Sequence, residues 1–291
     1  LKDQIFDGDF FKQLENISLN VRMLMKEGAA GGRKSKAKGS SVEFSDFREY
    51  TMGDDFRRID WNAYGRFDKL FVKIFMEERE AFVNIFIDSS KSMDYGELKK
   101  STQALKISAI LSYLSLNNYD RVCINNIQDS SFRNSTTFMG RNMFNSCINY
   151  LKEIKFEGNT NIGESIKKKS FYAGGVAIII SDFFTKGNLE EIVKYLIFKK
   201  QQVILIHILS NEELNPELQG QIRLIDSETQ ESKNIFITSQ LLNKYKNHLK
   251  EFSNNIKEFS KKLGADYIFV SSNDEIEKVV FENLIKLDVI R

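Results

Sequence analysis

The sequence predicts an α/β fold. A mostly parallel sheet with helices on both faces is expected over residues 81–291, preceded over residues 1–80 by a helix, a basic loop and a small β-rich segment. Three observations point there. From Ala81 onward, short apolar runs alternate with amphipathic stretches, which is the rhythm of consecutive βα units. Runs 82–87, 176–180 and 203–206 are close to unbroken apolar segments, as strands covered on both faces should be. An oxygen-rich loop, Asp88-Ser89-Ser90-Lys91-Ser92, follows the first run directly, where an open α/β sheet gathers its ligands.

In chain order, residues 10–26 read as a helix, with Phe10, Leu14, Ile17, Val21, Leu24 and Met25 near a helical period. Gly28-Ala29-Ala30-Gly31-Gly32 breaks it, and Arg33-Lys34-Ser35-Lys36-Ala37-Lys38 follows as a basic loop. The pattern over 42–80 is β-like and irregular, with a strand or hairpin at 70–76. Beyond it, strands are expected at 82–87, 121–127, 176–181, 203–209, 221–226 and 267–270. Helices are expected at 98–116, 141–154, 162–171, 189–198, 239–263 and 274–287.

The whole-chain numbers narrow the function. The 42 basic and 40 acidic residues nearly cancel to a net charge of +2, so no global field marks nucleic acid or an anionic membrane as the partner. Cys123 lies in an apolar run and Cys147 in an expected helix, which reads as two buried thiols rather than a disulfide framework. The apolar runs are too short to span a bilayer, and no basic–apolar–small leader opens the chain. A cytoplasmic location is therefore expected.

Oxygen side chains at alternate positions of the loop can turn Asp88, Ser90 and Ser92 toward one point. Hard cations such as Mg²⁺ take oxygen ligands of this kind. Hydroxyls are neutral, so a site built largely from them leaves the cation under-neutralised and receptive to an incoming carboxylate. Gly158-Asn159-Thr160-Asn161-Ile162-Gly163 adds a turn that offers the Thr160 hydroxyl. Asp182 follows the run 176–181 and should emerge on the same sheet edge as Asp88. Taken singly, Thr160 also reads as a helix cap and Asp182 as a turn residue.

Asp88-x-Ser90-x-Ser92, then Thr160, then Asp182 resembles the metal-ion-dependent adhesion site of von Willebrand factor A domains. The resemblance implies a von Willebrand A-like fold and one bound Mg²⁺, with Mn²⁺ or Ca²⁺ as substitutes. Ser90, Ser92 and Thr160 would contact the cation directly or nearly so, Asp88 and Asp182 would hold it directly or through water, and a partner's carboxylate would complete the shell. Met93 fits the usual pattern after the last serine. Lys91, Met93, Asn161 and Phe183 flank these ligands and are the residues expected to meet the partner, although Lys91 by itself reads as a solvated side chain.

The segment before the sheet is dense in paired charges and aromatics, which suggests ion-paired turns framing one inserted tryptophan, Trp61. Its elements Glu43-Phe44, Arg48-Glu49-Tyr50, Gly53-Asp54-Asp55 and Arg57-Arg58-Ile59-Asp60-Trp61 resemble the bacterial family catalogued as domain of unknown function fifty-eight. The likeness continues through Val72-Lys73, Glu77-Glu78-Arg79 and the Asp88 loop; Gly65 departs from it, standing where the family commonly has alanine. Members of that family are typically encoded beside MoxR-type AAA+ ATPases. The resemblance thus implies an adaptor role with such an ATPase in chaperone-like assembly.

Other chemistries find less support. Residues 28–35 resemble a phosphate loop, but Arg33 stands where the second glycine is needed. His207 falls within an apolar strand and His248 on a charged helix, which does not suit nucleophilic catalysis. A metal-assisted hydrolase of phosphate esters could use Asp88, Asp94 and Asp182, but such sites usually gather more carboxylates or histidines. The basic loop 33–38 could touch nucleic acid, yet it lacks an aromatic stacking platform. The reading is a binding module, not an enzyme, and not a nucleic-acid binder.

Overall fold

The computed structural model describes residues 5–16, 42–77, 81–128, 131–172, 174–185, 187–227 and 231–280. The basic loop 33–38, the first predicted helix beyond residue 16 and the last one beyond residue 280 lie outside the described residues. The chain divides into two units, one comprising Leu1–Met25 and Ala81–Arg291, the other Lys26–Glu80. In chain order the elements are α1 (residues 8–16), β1 (Val42–Glu49), α2 (Trp61–Phe67), β2 (Phe71–Glu77), β3 (Phe82–Asp88), α3 (Lys100–Asn117) and β4 (Arg121–Gln128). Then follow β5 (Ser131–Asn134), β6 (Phe138–Met139), α4 (Phe144–Glu153), α5 (Ile162–Lys167), β7 (Val176–Ser181), α6 (Leu189–Phe198) and β8 (Gln202–Leu209). The last are α7 (Asn211–Leu214), β9 (Gly220–Ile225), β10 (Ser232–Ile237), α8 (Ser239–Leu263), β11 (Asp266–Ser271) and α9 (Ile276–Lys278).

The larger unit is built on a seven-stranded sheet of order β11-β8-β7-β3-β4-β5, with β6 also paired to β4. β11, β8, β7, β3 and β4 run parallel, and β5 and β6 close the β4 side antiparallel. This is the mostly parallel α/β architecture expected from the sequence. Successive residues of a strand point to opposite faces, so the apolar runs feed two cores. Val83, Ile85 and Ile87 of β3 and Ile204, Ile206 and Ile208 of β8 join the core formed with α1, α3, α4 and α9. Phe86 of β3 and Val203 and Leu205 of β8 join the opposite core, formed with α5, α6 and α8.

Three expectations need correction. Residues 5–16 belong with the large unit rather than with the segment before the sheet. Phe6, Phe10 and Leu14 bury in the α3–α4 core, and Phe11 meets Phe144 edge-on at 6.4 Å. Burying each such side chain is worth about 1.5–3 kcal/mol, which an apolar helix face gains only against a core. The run 221–226 does form a strand, β9, but it pairs antiparallel with β10 in a separate two-stranded sheet. Gln221 and Arg223 alternate with Ile222 and Leu224, a half-polar pattern that suits a solvated hairpin and not a strand covered on both faces. Finally, α5 ends at Lys167, short of the expected residue 171.

In the Lys26–Glu80 unit, β1 and β2 pair antiparallel with a bulge between Phe44 and Asp46. Asp60 caps α2 by accepting hydrogen bonds from the Asn62 and Ala63 amides, and it also pairs with Lys73 at 3.1 Å. Arg48 reaches Asp54 at 2.7 Å and Lys69 reaches Glu49 at 2.9 Å, so the expected ion-paired turns are present. The tryptophan is not inserted among them. Trp61 is 63% exposed at the start of α2, edge-on to Tyr64, because a two-turn helix beside a two-stranded sheet offers too little apolar surface to cover an indole. No described helix is long and apolar enough to cross a membrane.

Candidate cation site

The site follows from the strand order. The chain leaves β3 to build β4 on one side, then returns to the other side of β3 as β7. Loops leaving the carboxyl ends of β3 and β7 diverge at this reversal and open a crevice. Asp88 is the last residue of β3, and Asp182 follows the last residue of β7, so both carboxylates arrive there.

Backbone hydrogen bonds tie three loops around the crevice. The Lys91 amide donates to the Gly158 carbonyl at 2.9 Å, and the Glu157 amide donates to the Ser89 carbonyl at 2.9 Å. Gly158 holds a φ of 73°, a turn conformation that costs glycine nothing. The Thr185 hydroxyl donates to the Thr160 carbonyl at 3.1 Å, which joins the loop after β7 to the same turn. Ser89 is pinned from below by its hydroxyl, which donates to the Ile127 carbonyl of β4 at 2.8 Å.

Within this frame Asp88, Ser90, Thr160 and Asp182 are all buried. One Asp88 oxygen accepts the Ser90 amide at 3.0 Å, and the other accepts the Ser181 hydroxyl at 2.5 Å. The Ser90 and Ser92 hydroxyls lie 2.9 Å apart. The helix-cap role open to Thr160 falls instead to Asn161, whose side chain accepts the Glu164 amide. That leaves the Thr160 hydroxyl oxygen buried with no hydrogen-bond partner among the described residues. Burial, reinforced by the neighbouring Asp182 charge, pushes the Asp88 carboxyl up to about 6.

Asp182 is held differently. One of its oxygens accepts the Phe184 amide at 3.0 Å, and the other accepts the Lys100 ammonium at 2.7 Å. Lys100 is the first residue of α3 and is 0% exposed; its ammonium also donates to Glu213 at 2.6 Å. Glu213 completes a capping box with Ser210 at the start of α7, just past β8. Burial alone would lower the Lys100 pKa, but the two carboxylates outweigh it and hold the ammonium above the ordinary lysine value. Burial raises the Glu213 carboxyl in spite of Lys100.

Sequence reasoning missed Lys100 and Glu213, though both left signals. A lysine in the first turn of a helix opposes the helix dipole, and Ser210-x-x-Glu213 after an apolar run is a capping-box pattern.

Asp88, Ser90 and Ser92 stand on the loop after β3, Thr160 on the turn bonded to that loop, and Asp182 directly after β7, so the five expected ligands fall on neighbouring loops at one sheet edge. The expected partner contacts divide. Lys91 is exposed and paired with Asp94 at 2.9 Å, and Asn161 is half-buried as a helix cap. Met93 is 0% exposed inside the core and Phe183 only 3%, so neither presents a surface to a partner. Met93 turns inward because the short helical turn Lys91–Asp94 directs every third side chain to one side. Phe183 takes a φ of 59°, which a non-glycine residue adopts only where its surroundings hold it, and its amide is fixed by the Ser181 hydroxyl at 2.8 Å.

His207 lies in the strand expected for it, β8, and is buried there. Tyr267 bonds its Nδ1 at 2.8 Å, Phe183, Phe252 and Phe269 surround the ring, and burial pushes its pKa down to about 4. Both cysteines are buried and free.

The residue set fits a hard cation better than a soft one. Among the described residues no three His, Cys, Asp or Glu side chains converge as a metal cluster, so the candidate ligands are two carboxylates and three hydroxyls. The orphaned Thr160 oxygen is the atom that such an ion would satisfy.

Comparison with known proteins finds distant relatives and solved structures of low similarity. The "Uncharacterized protein Rv1480" of Mycobacterium tuberculosis is 22% identical over 236 residues, covering 79% of this chain and 74% of its own length. A Mycobacterium bovis protein, "Uncharacterized protein Mb1516", matches to the same extent. Among solved structures, the conserved hypothetical protein BatB of Bacteroides thetaiotaomicron aligns with a TM-score of 0.45 and 16% identity, covering 72% of this chain and 99% of that one. The SpRpn10 VWA domain aligns with a TM-score of 0.41 and 15% identity, covering 71% and 97%. Likeness at this level carries no argument about the site, and the fold rests on the strand order itself. The family described as Protein of unknown function DUF58 matches residues 46–254, from the ion-paired turns through the crevice into α8, and this chain belongs to it.

Proposed function

We propose that the crevice holds one divalent cation, Mg²⁺ or Mn²⁺, and that the chain uses it to bind an acidic group of a protein partner, without catalysis. The observation that carries this reading is the Thr160 hydroxyl, buried without a hydrogen-bond partner among the described residues, on a turn bonded to the loop that follows the buried Asp88 carboxylate. A buried oxygen that the chain leaves without a partner is open to one from outside it, an ion or a water. Ser90, Ser92 and Thr160 would supply neutral oxygens, and Asp88 and Asp182 the negative charge. The ion, when bound, supplies a position open to an outside carboxylate oxygen.

The remaining residues set the geometry. Ser181 and the Ser90 amide orient Asp88, the Phe184 amide orients Asp182, and the Gly158 and Glu157 contacts keep Thr160 over the loop that carries the two serines. We further propose a MoxR-type AAA+ ATPase as the partner, with this chain as its adaptor in chaperone-like assembly, which is what the resemblance in the sequence implies.

Calorimetric titration of Mg²⁺ tests the reading. Wild type should bind one equivalent, and Asp88→Ala and Thr160→Val should lose at least about tenfold in affinity, or roughly 1.4 kcal/mol. Equal binding by all three proteins would place the ion elsewhere and end the proposal.

A further inference from the structure

Lys100 is not among the residues by which the cation reading was reached, yet it occupies the same crevice. It starts α3, where a positive side chain is unfavourable, and is fully buried, where an ammonium is costlier still. It is retained there by two carboxylates from different strand ends, Asp182 after β7 at 2.7 Å and Glu213 after β8 at 2.6 Å. The Phe184 ring adds a face 5.8 Å from the ammonium. Glu213 is itself fixed by the Ser210 amide at 2.8 Å, so it holds the lysine from a second strand end.

We propose that Lys100 is a built-in cation of this site that sets how tightly a divalent ion is held, by occupying Asp182 and repelling the incoming charge. The proposal rests on the reading of the crevice as a cation site. Both Asp182 oxygens are already engaged, one by Lys100 and one by the Phe184 amide. A divalent ion drawing on Asp182 therefore shares that carboxylate with an ammonium and lies within a few ångströms of it. In a buried setting, like charges at that separation disfavour each other by more than a factor of ten in binding. Among the described residues Asp88 has no such competitor: its hydrogen bonds come from Ser181 and Ser90, both neutral. The two carboxylates thus have unequal parts. Asp88 is free to hold the ion, and Asp182 is kept in check by Lys100.

The test is Mg²⁺ and Mn²⁺ titration of wild type, Lys100→Gln and Lys100→Arg, each also unfolded thermally in excess MgCl₂ and in EDTA. Lys100→Gln keeps a donor toward Asp182 but removes the charge, and should tighten divalent binding at least about tenfold. Lys100→Arg keeps the charge and should bind as weakly as wild type. A gain in affinity separates this role from a purely structural one, because damage to the fold can only weaken binding. Should Lys100→Gln fail to fold in EDTA, the paired variant Lys100→Met with Glu213→Gln is titrated in its place, and the same gain is expected.

Equal or weaker binding by the neutral variant, with wild type binding normally, would overturn the role of Lys100 and leave the cation site standing. Binding by the neutral variant alone would support Lys100 as the resident cation and remove metal dependence from the wild-type protein. No binding by any of the proteins would overturn both.

Discussion

Two sets of ion pairs among the described residues differ in what they cost. In the Lys26–Glu80 unit, Arg48–Asp54 and Lys69–Glu49 lie at the surface, and Lys73–Asp60 pairs a part-exposed lysine with a buried aspartate, so at least one partner of every pair keeps its water. Such pairs typically contribute about 0–1 kcal/mol, and here they fasten turns. At the carboxyl ends of β7 and β8, Lys100 is held by Asp182 and Glu213 with almost no water left around it. Taking those charges out of water costs several kcal/mol per ion, and their attraction roughly offsets that cost. The first set needs no explanation beyond local structure. The second gains nothing in stability that an apolar cluster would not supply, so its presence calls for a reason of function.

Breaking each set should show the difference. Lys100→Met leaves Asp182 and Glu213 without their cation and should destabilise the fold by about 3–5 kcal/mol, read by urea unfolding in EDTA. A loss below about 1 kcal/mol would mean that water reaches the triad and that the comparison is misplaced.

Asp88→Asn should act in the opposite direction. The buried wild-type carboxyl, at about 6, holds its proton more tightly in the folded chain than at its ordinary value of 3.8. Metal-free wild type therefore loses stability as pH rises from about 4 to about 6, and does not regain it above. The amide does not titrate, so Asp88→Asn should match wild type below pH 4 and exceed it above pH 6 by about 1–2 kcal/mol. It should also lose Mg²⁺ binding. A variant less stable than wild type at every pH would show that Asp88 is satisfied without a cation.

Thr160→Val should be neutral or stabilising by up to about 1 kcal/mol in EDTA, since the hydroxyl it removes has no partner among the described residues. A clear destabilisation would reveal a hydrogen bond that the metal-free site does make. The smallest effect belongs to the surface: Lys69→Ala should leave the melting temperature unchanged within error, because both partners are largely solvated.

How much of this was legible in the sequence depended on periodicity. The strands β3, β7 and β8 were readable because burial on both faces demands nearly unbroken apolar runs, and the Asp88 loop was readable because it begins where such a run stops. β9 was found as a strand but not as part of a separate hairpin, since a short run does not declare its partner. The inward turns of Met93 and Phe183 were not legible: both flank the ligands in sequence, and only the backbone angles of their loops decide which way they face. Lys100 was hidden for a related reason. Lys99-Lys100 reads as a solvated helix start, and its pairing with residues 82 and 113 positions away exists only once three strands lie side by side.

The most direct test of the central claim is the affinity of this chain for a MoxR-type AAA+ ATPase, measured in Mg²⁺ and in EDTA for wild type and Asp88→Ala. The account predicts tight binding by wild type in Mg²⁺ alone, with EDTA or the substitution each weakening it at least about tenfold. Partner binding that is equally tight in EDTA, and unchanged by Asp88→Ala, would contradict it.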